Sequence, residues 1–521
     1  MASKLRIFAL LYYLAVAVFG LLIAAWLSSI HRTPLPREEI DALAQVAAVK
    51  AWSKGTVQLS ADGTLEAEAQ RFASALSQAL GGEIVVTVAP ASAGEPACTN
   101  KDSSPESCAE ALEASADVAL VRHKFELMWV AADSTALVLG TGRRAYLRWQ
   151  RGKPTLEELA SSTAKLLQDS WFRKVSLDGG ASLFEITPAY VFSFLLVGDC
   201  GARVSWSFFD VVLLPYLSRL LEKLKVLFDI EVNSQVVMCG SLGNSLEPKD
   251  QDSQSVVDTS MLQADFMRRT GEWPPDALTR DARWLPPLVR LVAFKPSTPV
   301  VLADDKGEAQ YSFAVQGFGA VAIAHCDTGA NASGEVTDCE AQRVASGWIS
   351  SLRSWLSLPA NESVTGAGIG DGVSLLAARP RMDGISDWEL QMLARAVHGH
   401  FVQRTAETLR SLVELVDSLP DVVVREEIGA MAFKAAAKAQ ASTDAAAAGD
   451  VQLALAEARE ALILALTAIH DDSVVSQLYF SWEFKYAVYL PISMPILVPL
   501  SASVGRHLRS MLLACLRRVK R

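Results

Sequence analysis

The sequence predicts an α/β domain followed by a helical hairpin, with a transmembrane helix at each end of the chain. Three observations predict it. Short β-rich runs alternate with helical periodicity through residues 31–385, helix alone fills 386–485, and two long uncharged apolar runs, Ile7–Ile30 and Tyr486–Gly505, lie near the chain ends. With 521 residues and 50% hydrophobic composition the chain has material for a large core.

The 24 residues of Ile7–Ile30 exceed the 7–15 of a signal-peptide core, and no clear A-x-A site ends them, so they read as a retained signal anchor. Tyr486–Gly505 is long enough to cross a bilayer as a helix. The net charge of −10 is unevenly placed. Residues 1–30 carry Lys4 and Arg6 and no acid; residues 486–521 carry Arg506, Arg509, Arg517, Arg518, Lys520 and Arg521 and no acid. The acidic excess therefore falls on the middle, which argues against a nucleic-acid surface. The basic tail 506–521 belongs in the cytosol by the positive-inside rule, and two spans return residues 1–6 to the same side. The middle then occupies a lumen. Its sequons at Asn331 and Asn361 fit that side, as does its even set of cysteines, Cys98, Cys108, Cys200, Cys239, Cys326 and Cys339. Cys98 with Cys108 and Cys326 with Cys339 are the expected disulfides, in loop-like sequence; Cys200 and Cys239 read equally as a pair or as buried thiols. Cys515 falls in the cytosolic tail, where an unmodified thiol is the simplest reading.

Within the middle, residues 64–80 have helical spacing and stop at Gly81-Gly82. EIVVTVAP, ELMWVAA (126–132) and ALVLG (136–140) read as strands, and residues 155–172 as a helix. YVFSFLLVG (190–198) is continuously apolar at strand length, as for a strand buried on both faces. Residues 206–227 are apolar but carry Asp210, Arg219 and Glu222, so they read as a buried amphipathic helix and not as a third span. Strands follow at 230–238, 288–294, 299–304 and 319–325, with turn chemistry at DDKG (304–307). The alternation indicates one α/β body with a mainly internal sheet. After it, Ser386 and Glu389 form a capping box. Leu390, Leu393, Val397, Phe401, Leu409, Leu412 and Val416 make one apolar stripe that ends at Pro420. Residues 425–443 and 450–469 are Ala-rich helix formers broken near Gly449.

Chemistry is sparse. There is no G-x-S-x-G elbow, C-x-x-C or H-E-x-x-H, and GAGIGDG (366–372) fits neither the dinucleotide fingerprint nor the P-loop. His398 and His400, two apart in a helical stripe, point about 200° from each other and do not share a metal. No cofactor, metal or catalytic residue is expected. Asp304-Asp305 reads as a solvated turn. Arg143, Arg144, Arg148, Trp149 and Arg151 form a basic-aromatic cluster, read as a solvated strand face with lipid headgroups or an acidic partner as the alternative.

Pro491, Pro495 and Pro499 stand four apart in the second apolar run. Each removes an N–H and strands the carbonyl four residues back, on Ala487, Pro491 and Pro495. A carbonyl facing lipid costs several kcal/mol, so this face is expected to pack on protein, either Ile7–Ile30 or a span of another chain.

These residues carry a resemblance. YFSWEFKYAVYLPISMPILVPL (479–500) resembles the C-terminal span of the PIG-S family. Arg32, Leu35 and Pro36, directly after the first run, resemble that family's Arg-x-x-Leu-Pro entry, and Val232, Ser234 and Gln235 its "Val-x-Ser-Gln" strand. Asp305, Lys306 and Gly307 are similar to its turn, with Gly317-Phe318-Gly319 in place of adjacent glycines. Residues 50–150 fit least well. The resemblance implies a structural, non-catalytic subunit of the GPI transamidase complex in the endoplasmic-reticulum membrane. Its implied partners are the caspase-like PIG-K, PIG-T, PIG-U and a Gaa-type subunit, with membrane lipid around the spans. A membrane-tethered luminal hydrolase and a GPI-lipid-presenting chaperone stand as alternatives.

Overall fold

The computed structural model describes residues 33–45, 55–61, 65–81, 84–89, 96–99, 104–114, 124–152, 154–173, 175, 184–199, 204–240, 255–258, 285–297, 300–303, 309–326, 334–358, 374–377, 384–418 and 424–471, with separate positions between 487 and 513. The chain divides into two compact units, one of Asp41–Ala406 with Ala435–Ile463 and one of Met1–Ile40, Glu407–Lys434 and Leu464–Arg521.

In chain order the elements are α1 (Arg37–Gln45), β1 (Gly55–Ala61), α2 (Glu66–Ala79), β2 (Ile84–Ala89), α3 (Pro96–Thr99), α4 (Pro105–Ala114), β3 (Lys124–Ala131), β4 (Ala136–Leu139), β5 (Arg144–Trp149) and α5 (Leu156–Asp169). β6 (Ala189–Gly198), a π-helical segment (Phe208–Leu217), α6 (Ser218–Leu227), β7 (Asp229–Val237), β8 (Ser255–Asp258), β9 (Leu288–Lys295), β10 (Val300–Ala303), β11 (Ala309–Gln310), β12 (Ser312–Val315) and β13 (Gly319–Ile323) follow. Then come α7 (Asp338–Trp355), β14 (Ser374–Ala377), α8 (Asp387–Ser418), α9 (Glu426–Ala448) and α10 (Val451–Ile469).

The α/β class is confirmed, but the body holds two mixed sheets and a small third one instead of a single internal sheet. The first has the order β14-β4-β5-β3-β1-β2 and the second β12-β13-β9-β6-β7, while β8, β10 and β11 form the third. The large sheets are parallel except at β4–β5 and β12–β13. Helical crossovers join β1 to β2 and β6 to β7, as parallel neighbours require. All ten residues of β6 are buried, Ser193 among them, which explains its otherwise apolar sequence.

The first sheet's core is aromatic. Phe72 of α2 stacks on Trp129 and Phe125 on Trp171, each at 4.5 Å between centroids. In the second, α7 lays Trp348 and Trp355 on the sheet, and both indole N–H groups donate, to Val292 O and Phe184 O at 3.1 Å. The helix expected over 206–227 begins as a π-helix. Pro215 lies inside it and has no N–H for an α-type bond, and the Ser218 N–H reaches back five residues to Leu213 O.

Gly317 (φ +73°) and Gly319 (φ +144°) make the tight entry to β13. A Cβ at Gly319 would lie 1.9 Å from Arg290 O, so only glycine fits there. Gly449 (φ +85°) closes α9, and Asp450 Oδ1 caps α10 by accepting from Leu453 N at 3.1 Å. In the other unit, Thr33 bonds Val424 O through N (3.3 Å) and Oγ1 (3.2 Å). Arg37 grips Asp417 with two bonds of 2.9 and 2.6 Å. Gly429 permits the approach, since a Cβ there would meet Thr33 Cγ2 at 2.5 Å.

Candidate functional site

The densest buried polar group gathers at the start of α8. Sequence predicts a capping box here, and Glu389 does accept from Ser386 N (2.8 Å) and Ser386 Oγ (2.7 Å). It also receives a guanidinium. Arg353 of α7 donates to both Glu389 oxygens at 2.7 and 3.1 Å, and to Gly384 O at 2.7 Å. The side chains of this pair are 7% and 4% exposed. Beside it Lys223 of α6 pairs with Asp387 at 2.9 Å and donates to Ile385 O at 2.7 Å. Asp387 N donates to Thr141 O at 2.8 Å, on the turn between β4 and β5. Trp388 and Met392 of the same helix sit in the core of the first sheet. One helix end thus joins the first sheet to the α6 and α7 layer of the second. Desolvation of such charges is costly, and their mutual bonds offset it only while every partner stays in place.

A second polar group lies at the carboxyl ends of β6 and β9, where the strand order of the second sheet reverses and open α/β sheets commonly hold ligands. Here the side chains are bonded to one another. Ser297 donates to Asp199, and Lys295 reaches Glu340 at 3.1 Å and Glu335 O at 2.9 Å. Glu340 completes a capping box with Thr337. Arg343 donates to His325 O and lies 4.2 Å over the Tyr311 ring. The disulfide Cys326–Cys339 joins the end of this strand region to α7.

The basic-aromatic cluster is divided: Arg151 is exposed and Arg144 half-buried, whereas Arg148 and Trp149 face inward and are not part of a solvated face. Arg148 is fully buried, donates to Cys98 O at 3.1 Å and has its pKa lowered by burial. Arg144 pairs with Glu126 at 2.9 Å, and Trp149 is buried with its N–H on Pro154 O. Arg148 therefore ties β5 to the loop closed by the disulfide Cys98–Cys108. Cys239 is disulfide-bonded as well. Cys200, Cys515, Asn331, Asn361, the GAGIGDG stretch and Asp304-Asp305 lie outside the described residues.

His398 and His400 diverge as their spacing requires. His400 Nε2 contacts Ile186 O at 3.1 Å, and His398 Nε2 contacts Ser442 Oγ at 2.7 Å. Both His398 and Ser442 are fully buried between α8 and α9, and burial lowers the imidazole pKa to about 4. This serine–histidine contact joins two helices. Among the described residues no three His, Cys, Asp or Glu side chains are grouped to hold a metal.

Among the described residues no helix is long and apolar enough to cross a membrane. Ile7–Ile30 lies wholly outside them and Tyr486–Gly505 partly so. Within the latter, Ala487, Pro491, Pro495 and Pro499 are all helical and all exposed, alongside Met494 (48%) and Val498 (56%).

A family model described as PIG-S, phosphatidylinositol-glycan biosynthesis class S protein, matches residues 11–513. The rat and mouse proteins named GPI-anchor transamidase component PIGS are each 23% identical over 397 residues, covering 73% of this chain and 68% of their own length. The human protein of that name is 30% identical over 129 residues, 25% of this chain and 23% of its own. With a match that runs through both sheets, the helical region and most of each apolar run, the chain belongs to the PIG-S family.

Proposed function

We propose that this chain is a structural, non-catalytic subunit of a GPI transamidase, held in the endoplasmic-reticulum membrane by Ile7–Ile30 and Tyr486–Gly505, with both ends cytosolic. The observation that carries the reading is the family match over residues 11–513, with relatives that bear the name of a transamidase component. The side-chain chemistry is in keeping with it. The buried charged groups are engaged in holding helices and sheets together, as in the Arg353–Glu389 and Lys223–Asp387 pairs. On this reading residues 31–385 are a luminal α/β body, 386–485 a luminal helical region, and the partners are PIG-K, PIG-T, PIG-U and a Gaa-type subunit.

The test is recovery of the tagged full chain from membranes in gentle detergent, with the copurifying chains identified. The expected result is a caspase-like protease together with other large membrane proteins. Recovery of the chain alone, or with transamidase activity of its own, overturns the reading.

A further inference from the structure

The exposed ridge of the last helix has a chemistry that selects what covers it. In an α-helix the carbonyls of Ala487, Pro491 and Pro495 accept from the amides of residues 491, 495 and 499, and all three of those residues are prolines without an N–H. The three carbonyls therefore lie on one side, about 6 Å apart along the axis. Two side-chain donors of the same helix, Ser501 Oγ and Arg506 Nε, are committed elsewhere, to Val498 O at 3.0 Å and Ala502 O at 3.2 Å. The prolines and their neighbours Met494 and Val498 are exposed.

Lipid offers no donor at that depth. The chain's other apolar run carries its side-chain donors at its ends (Tyr12, Tyr13, Trp26, Ser28 and Ser29), and the stretch between, Leu14 to Ala25, reads LAVAVFGLLIAA with none, so it has no donors spaced one turn apart to face all three carbonyls. A Lys or Arg partner would carry the added cost of a charge in hydrocarbon. We propose that the Pro491–Pro495–Pro499 ridge docks a transmembrane helix of another subunit, one whose facing side carries neutral donors (Ser, Thr, Asn or Gln) about one turn apart. This inference rests on the reading of Tyr486–Gly505 as a span. The surface specifies its partner by hydrogen-bond donors, and the prolines act as deliberate openings in the helix's own bonding.

The test uses the full chain in its native membrane. A photoreactive benzoylphenylalanine is placed at Met494 or at Val498, and adducts are mapped by mass spectrometry. The expected adduct joins one other polypeptide, through a peptide with Ser, Thr, Asn or Gln at helical spacing. Adducts with lipid alone, with Ile7–Ile30, or with a purely aliphatic segment overturn the proposal. A second variant, P491A/P495A/P499A, restores the three amides. It is expected to lower recovery of that partner by about tenfold or more, because the helix's own amides then compete with the partner's donors for the three carbonyls. Unchanged recovery counts against the proposal. Protease accessibility of the 506–521 tail from the cytosolic side is scored in the same membranes. A tail on the wrong side, or a protein washed off by carbonate, refutes the spanning reading itself; a correctly inserted protein with lipid adducts refutes the docking alone.

Discussion

At the scale of single residues, two buried groups carry consequences that can be measured. Glu389 gathers bonds from Ser386 and Arg353 where almost no solvent reaches. Glu389→Ala leaves a buried guanidinium uncompensated and is expected to destabilise the fold by about 3–5 kcal/mol. The double variant R353M/E389M removes both charges and is expected to recover most of that loss, read as a urea midpoint close to the parent's. His398 gives a pH dependence. Burial lowers its folded pKa to about 4 against an ordinary value near 6.5, so the unfolded chain binds the proton more readily. Stability is full above about pH 6.5 and falls as pH drops toward 4, by roughly 3 kcal/mol over that window. His398→Gln is expected to flatten this slope, which urea melts at pH 7 and pH 5 would show. Arg148 illustrates what sequence leaves hidden. Beside Arg143, Arg144 and Trp149 it reads as surface, and only the paired register of β5 with β3 and β4 turns it inward to Cys98 O.

At the scale of elements, legibility followed apolar pattern. β6 is buried on both faces and apolar save for Ser193, and α8 starts at its Ser386–Glu389 signal with a clean stripe behind it. Both were readable. α7 is just as legible, although it is not among the elements expected above: Thr337 and Glu340 form a capping box, and Ala341, Val344, Ala345, Trp348, Leu352 and Trp355 stand at helical spacing on its buried side. The π-helical segment was hidden: its sequence is an ordinary apolar run, and the departure depends on Pro215. Gly319 belongs to the stretch that resembles the PIG-S family, and its backbone supplies the cause. Gly319→Ala places a Cβ against Arg290 O at a φ that L residues rarely adopt. The expected cost exceeds the 1–3 kcal/mol of backbone strain alone, visible as loss of soluble full-length protein or a lowered Tm. The capping box at Thr155 gives a milder control, with Thr155→Ala expected to cost about 1 kcal/mol in the same melt.

At the scale of the whole molecule, periodicity separates the alternating α/β stretch from the run of helices α8, α9 and α10, while neither the two compact units nor the pairing of strands into two sheets is legible. Strand order depends on contacts between residues far apart, such as Ser374 beside Ala136, which no local pattern encodes. The proposed luminal placement makes Asn331 and Asn361 glycan acceptors. The full chain expressed in a secretory pathway is expected to shift on a gel by one glycan for each site used, and N331Q/N361Q to abolish the shift. An unshifted parent chain would argue for the opposite orientation. The ion-paired start of α8 has one more effect. Thr141 of the first sheet and Arg353 and Lys223 of the second bond to the same few residues, so a load applied to either sheet is borne by both. The two layers share a single footing, and the rivets that fasten it are electrostatic.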